Sequence, residues 1–174
     1  AFEILSSKSL RLSSNIRNEL VKVLAVYSGF SGLAGGQYFD LTFENKKTTK
    51  KKIIEIQNNK TGKLFAFCCE CSGIIKELSF KKRKVLKSIG LDIGLLFQIA
   101  DDLIDYKGDS KIVGKPTKRD KNKGKPNLVN LIGYDETLKY AYNLKNKINK
   151  KIKNYGIKSH DLLQSVEFIL NRKF

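Results

Sequence analysis

The sequence predicts an all-α fold from three observations. Apolar residues recur every three to four positions through most of the chain, strand-like alternation is absent, and both prolines, Pro116 and Pro126, sit in one basic loop. A length of 174 residues is enough for one domain with a substantial core, and 41% hydrophobic content fits a soluble globular chain. The expectation is a single helical domain over residues 1–174, without internal repeats or a low-complexity linker.

The opening Ala1-Phe2-Glu3-Ile4-Leu5 reads like the middle of a helix without its start signal, as in a fragment. A helical pattern follows at about 17–42, interrupted by Gly35-Gly36, where each glycine costs about 1 kcal/mol relative to alanine. A close backbone approach or a kink is the expected return. Gln37 and Asp40, three apart, then share a face, although a surface turn with two ordinary polar residues fits the same letters. The next pattern, 53–75, carries Lys60-Thr61-Gly62 just before the apolar run Leu64 to Cys69. A lysine at that edge is placed to meet an anion, or it snorkels to the surface. Cys68, Cys69 and Cys71 lack metal-site spacing and read as buried free thiols of a reducing compartment. Further patterns cover about 82–106, 128–133, 135–154 and 159–171, and His160 beside Asp161 marks the start of the last. The lysine runs 46–52 and 81–84 are expected to be solvated helix starts or loops.

Chemistry concentrates in Phe97-Gln98-Ile99-Ala100-Asp101-Asp102-Leu103-Ile104-Asp105. At helical spacing Gln98, Asp101, Asp102 and Asp105 fall at i, i+3, i+4 and i+7 and form one stripe on an otherwise apolar helix. Three like charges on adjacent turns repel, and apolar surroundings raise the cost of ionising them, so something positive must compensate. Carboxylates without nearby His or thiolate suit Mg²⁺, which keeps several waters and binds substrate phosphates. An exposed acidic patch on a surface helix is the plainer alternative.

The segment Val113 to Asn127 that follows is basic and punctuated by Gly and Pro. It cannot continue the helix, and it can swing ammonium groups back over the acids. It is not a P-loop: Gly114-Lys115 and Gly124-Lys125 are each followed by Pro and lack the upstream Gly of a Walker A motif. A merely solvated basic loop would read the same.

The string FQIADDLID with VGKPTKRDKNKGK resembles the second aspartate-rich motif and lysine loop of the trans-prenyl diphosphate synthases, especially bacterial farnesyl and geranylgeranyl diphosphate synthases. Gly35-Gly36-Gln37-Tyr38-Phe39-Asp40-Leu41 resembles that family's GGQxxDL segment, and Lys60-Thr61-Gly62-Lys63-Leu64 its KTGxL segment. The four motifs stand in the family's order. The loop departs from the usual pattern in two places. Thr117-Lys118-Arg119-Asp120 stands where many members have Gly before Asp, and Lys125 precedes Pro-Asn where Ser-Thr or Thr-Thr is common.

The resemblance implies an isoprenoid synthase-type helical bundle, usually a homodimer, of which this chain would be about the C-terminal three-fifths. It implies Mg²⁺ as cofactor, with Mn²⁺ as an alternative, and an allylic diphosphate and isopentenyl diphosphate as substrates. By motif position, Asp101 and Asp105 would serve the metal, with Asp102 and Asp120 as second choices. Lys60, Lys115 and Lys125 would hold the allylic diphosphate, Thr61 and Gln98 would turn oxygen dipoles toward the carbocation, and Gln37 and Asp40 would support the positioning. Farnesyl diphosphate synthesis is the leading implied activity; the alternatives are geranylgeranyl diphosphate synthesis or, if the chain is natively truncated, a non-catalytic diphosphate-binding subunit. The first aspartate-rich motif has no counterpart here, so the chain alone would be inactive.

The net charge of +17 alone would point to nucleic acid or an anionic membrane. Only Arg11, Arg17, Arg83, Arg119 and Arg172 are arginines, however, and the remaining positive charge is lysine scattered with Asn and Ile. Scarcity of the bidentate fork argues against nucleic acid as partner. No apolar run reaches the roughly 18 residues of a membrane span, and the expected location is cytoplasmic.

Overall fold

The computed structural model describes residues 1–107 and 125–172, with Lys158 described by its backbone alone, and all regular structure among them is helical. Helix α1 (Phe2–Ser6) and a 3₁₀ turn (Lys8–Leu10) lead into α2 (Ser14–Ser28). The Ser13 hydroxyl caps α2 by accepting from the Ile16 N–H at 3.3 Å, and Leu20, Leu24 and Tyr27 form its buried stripe.

The single helix expected over 17–42 is two helices, because α3 is a separate element (Leu33–Thr42). The break falls at Gly29 to Gly32, ahead of the Gly35-Gly36 pair. Gly29 closes the last turn of α2 on the Ala25 carbonyl at 2.9 Å and then turns extended. Two poor helix formers three residues apart make this the weakest stretch of the pattern, and packing decides it. Gly35 and Gly36 stay helical and buried inside α3.

Helix α4 (Lys50–Gln57) is capped by Thr49 Oγ1, which accepts from the Lys52 N–H at 3.2 Å. It runs through one wide π turn (Asn58–Gly62) into α5 (Lys63–Ile75). The lysine run 46–52 thus ends in a helix start, as expected.

Helix α6 (Phe80–Lys107) has 28 residues and is roughly 42 Å long at 1.5 Å per residue. Lys81, Lys82 and Lys84 are exposed in its first turns, while Ile89, Ile93, Leu96, Ile99 and Leu103 are buried at helical spacing. Around it pack α5, α8 (Tyr134–Lys153) and α9 (His160–Asn171). Short α7 (Leu128–Ile132), capped by Asn127 Oδ1 accepting from the Asn130 N–H at 2.7 Å, brings Leu128 and Val129 into the same core. A 3₁₀ turn (Gly156–Ser159) joins α8 to α9, and His160 is exposed at the start of α9.

A second apolar cluster joins Leu20, Leu24 and Tyr27 of α2 to Ala66, Phe67 and Ile74 of α5. An ionic group lies beside it. Tyr27 Oη donates to Glu70 Oε2 at 2.6 Å, and Arg83 donates to Glu19 at 2.6 Å and Glu70 at 3.3 Å. Burial, reinforced by the Glu70 carboxylate, pushes the Tyr27 phenol well above its ordinary range.

The three cysteines are free, but they are not uniformly buried: Cys68 is exposed, and Cys69 and Cys71 are half-buried. The apolar run that contains them is helical, so its residues are distributed around α5 and one of every few faces solvent.

Candidate active site

The site grows from a close approach of two backbones. A Cβ on Gly36 would lie 2.2 Å from the Lys60 nitrogen, so only a bare glycine lets α3 lie against the π turn. One helical turn further on, Asp40 then meets the Lys60 ammonium, which donates to Asp40 Oδ2 at 2.5 Å. Both side chains are largely buried, 28% and 13% exposed, so the pair is less screened than an ordinary surface ion pair. Gln37 is exposed and stands outside this pairing.

The π turn also presents Thr61 to α6. Its hydroxyl donates to Gln98 Oε1 at 3.2 Å; the Gln98 amide donates to Asp102 Oδ1 at 3.0 Å. Asp102 Oδ2 accepts from Gln57 Nε2, also at 3.0 Å. A polar chain therefore runs Thr61, Gln98, Asp102, Gln57 through the bundle, and it fixes the Gln98 amide orientation. Asp102 is only 4% exposed, so the two amide donors satisfy a carboxylate that would be costly to bury alone.

The acid stripe is consequently divided by environment. Asp102 faces the amides, whereas the Asp101 side chain is 38% exposed and lies 3.5 Å from Arg172 Nη2. Asp105 is half-buried one turn below. Arg172, just past α9, donates to the Phe97 carbonyl at 3.2 Å and stacks its guanidinium 4.2 Å from the Phe97 ring centroid. Burial holds the Arg172 pKa below its ordinary value, with Asp101 acting in the opposite direction.

Lys125 is half-buried before α7, in a 440 Å³ pocket that it shares with Lys46, Lys47 and Thr48. Lys115 and Asp120, with the rest of the lysine loop up to Gly124, lie outside the described residues. An open groove of 640 Å³ runs between α5, α6 and α9, walled by Phe65, Ile93, Phe97, Val166 and Ile169.

Two residues of this arrangement carried no signal in the sequence. Gln57 is an unremarked polar residue at the end of an amphipathic helix, and Arg172 is one cation among many. A buried polar partner for Asp102 was nonetheless required by the apolar setting of the acid stripe.

The donor set fits a hard divalent ion. Asp101 and Asp105 are half-buried carboxylates, oxygen donors of the class such an ion takes. An ion there would take the rest of its shell from water and ligand oxygens, the habit of Mg²⁺.

An all-helical bundle with this aspartate stripe and facing KTG turn belongs to the isoprenoid synthase type. The sequence model of the Polyprenyl synthetase family matches residues 2–164, and the chain belongs to that family. Farnesyl diphosphate synthase from Micrococcus luteus is 33% identical over 125 residues, 72% of this chain and 43% of the relative. An FPP/GFPP synthase structure from Zymomonas mobilis superposes with a TM-score of 0.83 at 34% identity, covering 97% of this chain and 56% of that one. A geranyltransferase from Helicobacter pylori, solved with magnesium and isoprenyl diphosphate, gives a TM-score of 0.81 at 30% identity, covering 98% and 55%. The chain spans about half the length of the curated relatives it matches.

Proposed function

We propose that these residues form one wall of a trans-prenyl diphosphate synthase site that condenses an allylic diphosphate, dimethylallyl or geranyl, with isopentenyl diphosphate to give farnesyl diphosphate. The observation that carries this reading is the polar chain from Thr61 through Gln98 to Asp102, beside the Lys60 to Asp40 pair, because it joins three separated motifs into one constellation.

In this reading Asp101 and Asp105 hold Mg²⁺ or Mn²⁺, whose chemistry when bound is to neutralise charge on the diphosphate as its C–O bond breaks. Lys60, Lys115 and Lys125 bind the diphosphate oxygens, and Asp40 holds the Lys60 ammonium in place. Thr61 and Gln98 turn oxygen dipoles toward the cationic carbon. Asp102 fixes Gln98 from behind and Asp120 is a further metal candidate, while Gln37 contributes at the rim. The groove walled by Phe97 and its apolar neighbours offers the kind of lining an isoprenoid tail needs.

Within these 174 residues one aspartate-rich motif occurs, so the isolated chain is proposed to bind diphosphate without turning it over. A homodimer and a reducing, cytoplasmic setting complete the proposal. The free thiols support the setting, and no helix among the described residues is long and apolar enough to cross a membrane.

The test is to incubate the product of the complete gene with dimethylallyl, geranyl or farnesyl diphosphate, isopentenyl diphosphate and Mg²⁺, and to measure product chain length. A fifteen-carbon product is expected; a twenty-carbon product would assign geranylgeranyl synthesis. No product from any primer, with diphosphate binding retained, would assign a non-catalytic subunit.

A further inference from the structure

We propose that Arg172 is a counter-ion of Asp101 and competes with the divalent cation for that carboxylate. This rests on reading Asp101 as a cation ligand.

Among the described residues, three contacts place the arginine. Its Nη2 donates to the Phe97 carbonyl at 3.2 Å, its guanidinium lies 4.2 Å from the Phe97 ring centroid, and Nη2 reaches Asp101 Oδ1 at 3.5 Å. The side chain is only 6% exposed against 38% for Asp101. The two Phe97 contacts anchor the guanidinium from the side of α6, while the Asp101 contact sits at the outer limit of a hydrogen bond. The arginine can therefore keep its seat while the carboxylate turns to another cation.

Charge makes the relation a competition. Among the described residues, Gln57 and Gln98 bring neutral amides to Asp102, whereas Arg172 brings a full positive charge to Asp101. A guanidinium and a divalent ion sharing one carboxylate repel each other. Even at water-like screening, that repulsion over a few ångströms corresponds to about a tenfold change in affinity. The end of α9 thus sets the affinity of the acid stripe 71 residues away in sequence. Any ligand or partner that lifts Arg172 from Phe97 would tighten cation binding at Asp101.

The test is a Mn²⁺ titration of the 174-residue chain, following free Mn²⁺ by EPR, in the parent and in R172Q, R172K, D101N and R172Q/D101N. Removing the charge in R172Q should tighten Asp101-dependent binding by about fivefold to tenfold. R172K, which keeps the charge, should stay within about twofold of the parent. The gain should vanish in R172Q/D101N. A role confined to packing would leave affinity unchanged or weaken it. Circular dichroism checks the fold of each variant. Independently of R172Q folding, the Arg172 side-chain NMR signal in the parent should shift on Mg²⁺ addition with the midpoint of binding, and should stay put in D101N.

Unchanged or weaker binding in folded R172Q, or an unmoved Arg172 signal, with D101N still losing affinity, overturns the competition and leaves the cation site standing. Mn²⁺ binding indifferent to D101N in every background overturns both.

Discussion

Gln57 donates its side-chain amide to Asp102 Oδ2 at 3.0 Å, linking the last residue of α4 to the C-terminal part of α6. The bond leaves a neutral donor against one buried carboxylate oxygen, with Gln98 against the other. An acid buried to 4% exposure is tolerated in this core because both oxygens have hydrogen-bond donors.

Replacing Gln57 with Leu removes one of those donors and should cost about 1–3 kcal/mol of stability in urea denaturation. The double change Gln57→Leu with Asp102→Asn should cost less than the sum of the two single changes, since a neutral amide is easier to bury than a carboxylate. Full additivity in that double-mutant cycle would show that the pair is not coupled.

Arg83 bridges Glu19 and Glu70 beside Tyr27. Arg83→Met leaves the largely buried Glu70 without its cation and should destabilise by about 3 kcal/mol. Adding Glu70→Gln should return most of that loss, as read from thermal or chemical unfolding. Equal stability of Arg83→Met and the parent would place the cluster's contribution in the Tyr27 hydrogen bond alone.

Burial raises the Cys69 thiol from its ordinary 9.0 to about 11. A group whose folded pKa lies above its unfolded value contributes stability below the unfolded pKa and loses it as pH rises through the folded one. Stability should therefore fall between about pH 9 and 11, by up to about 2 kcal/mol from this half-buried thiol. Cys69→Ala should flatten that part of the profile. At pH 8, a thiol reagent should label exposed Cys68 well before Cys69.

Asp101→Ala in the protein from the complete gene should lower turnover by at least about a hundredfold, by removing a ligand that steadies transition-state charge. Its melting temperature should move little, because Asp101 is partly exposed and its arginine contact is long. Turnover equal to the parent would remove Asp101 from the site.

The helices were largely readable from spacing. The stretches 82–106 and 135–154 correspond to α6 and α8 because their apolar positions alone specify which side is buried. Elsewhere the pattern was ambiguous. Continuous apolar spacing over 17–42 concealed the break at Gly29, since glycine leaves a helix permissible but weak and neighbouring packing decides the outcome. The exposure of Cys68 was hidden for a similar reason, because an apolar run does not say which of its residues faces out.

The sequence by itself determined the all-helical class, the order of the motifs and the placement of Gln98, Asp101, Asp102 and Asp105 on successive turns of one helix, all of which follow from local periodicity. Only the tertiary structure decided their partners. Gln57 reaches Asp102 across 45 residues and Arg172 reaches Asp101 across 71, and no local spacing encodes either pairing. The first arises because packing around α6 excludes water from Asp102 and obliges a distant amide to supply what water would have supplied, and the second because the end of α9 packs the Arg172 guanidinium on Phe97, beside half-open Asp101.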